Sequence, residues 1–200
     1  GVLGDEPWNR EALLGLAELE YRRGLYAEGL ALASRALQLD AYDARANFVA
    51  GTLHRALGGF VDARESFGWS ARSMAYRSVS YVQLAELALA SGELSEADRY
   101  AGLALDYDRY SVAALRVRAV AARLAGEEER MRAARAEIAW IDPLDHFVAV
   151  EALLGSPAGG MDRTAVGDLE ARLRGEDPEE EVLELAISYV RWGLEEDAAR

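Results

Sequence analysis

The sequence contains no cysteine and no lysine. The first absence excludes a disulfide framework and any cysteine zinc site, and leaves the redox compartment undecided. The second removes the phosphate-loop lysine, Schiff-base chemistry and a Ser–Lys pair. All 22 basic residues are therefore arginine, against 35 acids, for a net charge of −13. A chain this acidic repels phosphate backbones and anionic headgroups, so no nucleic acid and no membrane surface is expected as a partner. No apolar run reaches the ~18 residues of a spanning helix. There is no GxSxG nucleophile elbow and no glycine-rich fingerprint following a strand. The two histidines, His54 and His146, fall at a helix-packing slot and a helix start, and Asp106 and Asp108 are ordinary neighbours among so many acids. The expectation is a chain with no catalytic residue, no cofactor and no metal site: not an enzyme.

What is present is a period. Gly24, Gly58, Gly92 and Gly126 stand 34 residues apart each time. Setting position 1 at Arg10, Ala44, Ser78 and Val112 brings small residues into register. Position 8 reads Ala17, Gly51, Ala85 and Ala119; position 20 reads Gly29, Ala63, Ala97 and Met131; position 27 reads Ala36, Ser70, Ala104 and Ile138. Two antiparallel helices approach closely only where neither carries bulk, and these are the contact positions. The glycine at position 15 ends the first helix of each pair, where the chain needs a positive φ. The expected core includes Leu16, Ala17, Ala36, Ala63, Phe67, Leu84, Ala85, Ala97, Ala104 and Ala119.

On this period and these residues the chain resembles the tetratricopeptide (TPR) repeat family, whose unit is a helix–turn–helix of 34 residues. The resemblance implies an all-α fold, a right-handed superhelix of about five repeats plus a partial sixth. Residues 1–9 would be the tail of a preceding repeat. Four repeats follow at 10–43, 44–77, 78–111 and 112–145, then a degenerate fifth at 146–178 and a truncated sixth at 179–200. In the fifth, Phe147 to Leu154 reads as a short helix, Ser156 to Gly160 as a break and Asp162 to Arg174 as a second helix. Glu176 and Asp177 before Pro178 read as helix-start chemistry. Both ends are expected to be interior cuts of a longer protein. A stripe of Val182, Leu185, Ala186 and Tyr189 is then left uncovered, and an oligomer through that C-terminal end is one expectation.

The resemblance also implies a groove lined by the first helix of each repeat, at positions 2, 5, 9 and 12. Repeat 1 supplies Glu11, Leu14, Glu18 and Tyr21; repeat 2 supplies Arg45, Phe48, Thr52 and Arg55. Repeat 3 supplies Val79, Val82, Glu86 and Leu89; repeat 4 supplies Ala113, Arg116, Val120 and Arg123. Arginine forks suit carboxylates and a half-apolar floor suits a peptide, so the expected partner is an acidic–apolar peptide or protein held by Arg45, Arg55, Arg116 and Arg123. The other reading of the same arginines is pairing with neighbours such as Glu18 and Glu86, with nothing bound.

A narrower resemblance rests on Phe67-Gly-Trp-Ser-Ala-Arg-Ser-Met-Ala-Tyr-Arg-Ser78, with Leu39-Asp-Ala-Tyr-Asp43, Leu105-Asp-Tyr-Asp-Arg-Tyr110 and Ile141-Asp-Pro-Leu-Asp-His-Phe147. These segments are similar to the TPR half of large bacterial proteins of unknown function, in which a β-rich domain linked to carbohydrate precedes the repeats. That resemblance implies a partner within the same polypeptide, contacted through Trp69, Arg72, Met74, Tyr76 and Arg77. The bland alternative is that these residues fill the gap between repeats 2 and 3. The remaining expectations are a bacterial source, from the arginine-only, alanine-rich composition, and a cytoplasmic location.

Overall fold

The computed structural model describes residues 9–155, 167, 169 and 178–199, and every element among them is an α-helix. The expected break at 156–160, most of the expected helix at 162–174 and the acids Glu176 and Asp177 lie outside the described residues. Two compact units divide the chain at Leu84 and Ala85. The first holds α1 (Arg10–Arg22), α2 (Tyr26–Leu39), α3 (Ala44–Ala56), α4 (Phe60–Ser70) and the start of α5 (Arg77–Ala90). The second holds the end of α5, then α6 (Leu94–Tyr107), α7 (Val112–Leu124), α8 (Glu128–Ile141) and α9 (His146–Leu154). It ends with α10 (Pro178–Arg191) and the short α11 (Glu195–Ala198).

One turn chemistry repeats through both units. Gly24, Gly58, Gly92, Gly126 and Gly193 all take positive φ, between 72° and 78°. The residue after each of these glycines donates its N–H to a carbonyl five residues back, at 2.8–2.9 Å. This closure satisfies carbonyls that the helix end leaves open, and a side chain at the glycine would pay for the left-handed backbone. The second helices start without a side-chain cap at Leu25, Gly59, Glu93, Glu127 and Leu194, because the glycine turn already sets their direction. First helices are capped instead: Asn9, Asp43, Ser111 and Asp145 each accept from a backbone N–H two or three residues on.

Consecutive helices pack on one another: in the first unit α1 on α2, α2 on α3 and α3 on α4; in the second α6 on α7 and α7 on α8. Short links between neighbours impose this antiparallel order. The small positions carry the packing as the period requires. Ala17, Ala85 and Ala119 are fully buried, as are Ala36, Ala63, Ala97 and Ala104. A Cβ at Gly51 would sit 2.8 Å from the ring of Phe67, which is itself fully buried. That ring contributes roughly 2–3 kcal/mol by burial, and only a glycine opposite leaves room for it. One core expectation shifts by a register position: Leu16 is half-buried, whereas Leu13 and Leu14 are fully buried. Leu14 belongs to one buried apolar cluster with Val49 and Leu53 of α3.

Candidate functional site

In the first unit the first helices α1 and α3 bring Glu18, Tyr21, Phe48 and Thr52 around one cavity of about 320 Å³. Arg22, Val49 and Leu53 complete its lining. The floor is aromatic. Phe48 meets Phe67 edge-on at 5.5 Å and Tyr76 at 5.6 Å, and Tyr21 leans on Tyr26 at 5.5 Å. Thr52 spends its hydroxyl on the Phe48 carbonyl, one turn back, and so presents its methyl group. Arg22, Val49 and Leu53 were not among the expected lining. Arg22 lies one turn beyond Glu18 on α1, so helix geometry alone places the two on one face. It is exposed and makes no hydrogen bond or ion pair among the described residues.

The four arginines expected as anchors are engaged within their own units. Arg45 donates from Nε and Nη2 to Glu18 at 3.1 and 3.0 Å, and from Nη1 to Glu11 at 2.6 Å. Glu11 and Arg45 are one whole repeat apart, so the pair ties equivalent positions of two repeats. Burial tends to lower the Arg45 pKa, but the hydrogen bond it donates to Glu18 and the charges of Glu18 and Glu11 leave it raised. Arg55 donates to Gln83 at 2.7 Å. Arg116 pairs with the buried Asp145 at 2.8 Å and lies over the Phe147 ring. Arg123 donates to Glu151 at 2.9 Å and to Asp197 at 2.7 Å. Four of the expected groove residues are closed to solvent: Leu14 and Val120 entirely, Leu89 and Val82 nearly so. Glu86 is half-buried.

The second unit has a different interior on its first helices. Glu151 on α9 is fully buried and accepts the Tyr189 hydroxyl at 2.6 Å as well as the Arg123 guanidinium. Burial first, and then the charge of Glu151, raise the Tyr189 pKa far above its ordinary value, so the phenol stays protonated. Tyr189 stacks on Phe147 at 6.3 Å, and Trp192 packs edge-on against both rings. The stripe expected to be bare is therefore corrected. Leu185 and Tyr189 are covered, because α10 turns that face onto its own unit. Val182 is exposed, and so are Leu183, Ile187 and Val190 on the opposite side of the helix.

The segment from Trp69 to Arg77 makes its contacts inside the first unit. Trp69 packs on Tyr42 at 5.1 Å, with the Arg72 guanidinium 4.2 Å from the indole centroid. This joins repeats 1 and 2, whereas one of the two readings from sequence had placed it between repeats 2 and 3. Tyr76 reaches the Phe48 floor, and Arg77 closes the loop by donating to the carbonyls of Ala71 and Arg72 at 2.9 Å. Met74 accepts from Arg77 and is otherwise exposed. Among the described residues no group of three or more His, Asp or Glu side chains is gathered to hold a metal, and no helix is long and apolar enough to cross a membrane.

No known family's sequence profile matches the chain, and no curated protein matches it. Among solved structures the chain is similar to YrrB, a TPR protein with an unusual peptide-binding site. The two align with a TM-score of 0.63 at 14% identity, over 99% of this chain and 94% of that one. At that identity the likeness is one of fold: this chain has the all-α TPR-type solenoid fold.

Proposed function

We propose that the chain is a non-catalytic protein-interaction scaffold, and that its first unit takes a short acidic–apolar peptide against α1 and α3. The observation that supports this is the cavity floored by Tyr21 and Phe48. It is concave, mostly apolar, and rimmed by a few polar groups, which is the composition of a pocket for one anchoring side chain. Arg22 is the cation at its edge with no carboxylate partner among the described residues, so a ligand carboxylate pairs there. Arg45, held by two glutamates, positions the Glu18 rim. The peptide-binding site named for YrrB agrees with this class of partner without assigning the residues.

The test is fluorescence anisotropy with peptides mixing Leu or Phe with Asp and Glu, selected on the intact chain. Tyr21→Ala and Arg22→Ala are each expected to weaken binding about tenfold, as truncation of a central anchor does, with helix content unchanged. Leu183→Ala, on the exposed side of α10, is expected to leave affinity unaltered. Selection of no peptide, or binding indifferent to both pocket substitutions, contradicts the reading.

A second reading, contact with a carbohydrate-linked domain of the same larger polypeptide, draws on one feature. Met74 and the Arg72–Trp69 pair form an outward edge whose Met74 is 71% exposed. Weakening of such a contact in the longer protein by Met74→Asp, with peptide binding intact, separates it from the first reading.

A further inference from the structure

In a solenoid each repeat touches its neighbours, so the first helix of a sixth repeat should meet the fifth. The segment α10–α11 reaches further. Tyr189 engages Phe147 and Glu151 on α9, the fifth first helix. Asp197 pairs with Arg123 on α7, the fourth, across 74 residues of sequence. Gly193 lies so close to the end of α5, the third, that a Cβ there would stand 3.2 Å from the Ala90 carbonyl oxygen. One helix–turn segment thus reaches α5, α7 and α9, and among the residues it meets Arg123 and Phe147 hold repeat positions 12 and 2, which the TPR resemblance assigns to the groove.

We propose that α10–α11 occupies the groove of the second unit in cis, and that the external partner of this groove is an acidic amphipathic helix bearing the same anchors. The inference does not depend on the peptide pocket of the first unit. The anchors are Leu185, Tyr189 and Trp192, spaced i, i+4, i+7, the pattern of a helix laid in a groove. All three are buried, while Leu183, Ile187 and Val190 on the other side of α10 are exposed, so the helix is seated by one face. Charge agrees. Residues 178–199 hold seven acids and one arginine, and the receiving face presents Arg116 and Arg123.

The test uses the intact chain and a labelled peptide of residues 178–199. Unaltered protein is expected to bind this probe weakly, because its groove is filled. The double variant Tyr189→Ala, Trp192→Ala is expected to bind it at least tenfold more tightly, and further substitution of Arg123→Gln to abolish the gain. A probe carrying Tyr189→Ala and Trp192→Ala is expected not to bind. Because the double variant risks unfolding, Asp197→Asn is measured beside it; it removes the Arg123 pair and is expected to show a smaller gain in the same direction. If Asp197→Asn, or a folded double variant, binds the probe no better than the unaltered chain, the proposal is overturned.

Discussion

Arg55 and Arg123 stand at the same place in two repeats, and each donates to the residue at position 6 of the next. In the first unit that residue is Gln83, an amide, and the contact leaves the neighbouring groove open with a cavity floored by Tyr21 and Phe48. In the second it is Glu151, a buried carboxylate that also takes the Tyr189 hydroxyl. A buried charge must be paired and fully hydrogen-bonded, or it costs several kcal/mol. Glu151 therefore holds a phenol from α10, and Asp197 joins it on the same arginine. The comparison teaches that one extra charge at a repeat position gathers an arginine, a phenol and a second carboxylate, which is how α10–α11 would be anchored in the groove we propose it fills.

The largest expected effect tests that contrast directly. Glu151→Ala strands Arg123 and the Tyr189 hydroxyl in the interior and is expected to cost about 3–5 kcal/mol in denaturant unfolding. The matched change in the first unit, Gln83→Ala, is expected to cost about 1 kcal/mol, an ordinary hydrogen bond. Equal costs would erase the distinction between the two units.

Next in size is Gly51→Ala. Its Cβ would press on the Phe67 ring, so a loss of about 1–3 kcal/mol is expected, the usual penalty for overpacking. Ala85 and Ala119 already carry a Cβ at this repeat position, so Ala119→Gly is expected to cost only about 1 kcal/mol through helix propensity. Thermal melts of both variants check the pair. Smaller still is Arg45→Ala. Its bonds to Glu11 and Glu18 are partly solvent-exposed, and a change below about 1 kcal/mol is expected.

These magnitudes follow how much of the molecule was legible in the sequence. Spacing alone placed the positive-φ turns at Gly24, Gly58, Gly92 and Gly126, because a left-handed residue past a helix end selects glycine. It also placed the small contact positions, because close approach selects against bulk at each repeat. Pairing of Arg45 with Glu18 was one of two readings that the sequence left open. Arg22 was missed because it lies just outside the usual lining positions, although its spacing from Glu18 would have revealed it. Burial of Leu14 and Val120 was missed because the pattern assigns faces to a helix and does not count what neighbouring side chains cover. The repeat pointed to α10 beside α9 but not to the reach of α11: the contact of Asp197 with Arg123 joins residues far apart in sequence and follows charge instead of the repeat.

The smallest effect is a pH dependence. Tyr189 faces Glu151, Arg123 and Asp197, and its folded pKa lies above its ordinary value, so the folded state favours the protonated phenol. The resulting stabilisation is complete below a pH of about 10 and declines as pH rises beyond it. Tyr189→Phe is expected to lower stability at neutral pH and to flatten that alkaline decline, as followed by unfolding at stepped pH.

The absence of native cysteine permits the most direct test of open against filled. Thr52 and Val120 hold the same repeat position, one half-exposed and one fully buried. Single substitutions Thr52→Cys and Val120→Cys, treated with a thiol reagent, should differ in labelling rate by about a hundredfold or more, since the second reacts only after local opening. Labelling of both at similar rates would contradict the account, because it would mean that the two units present equivalent grooves.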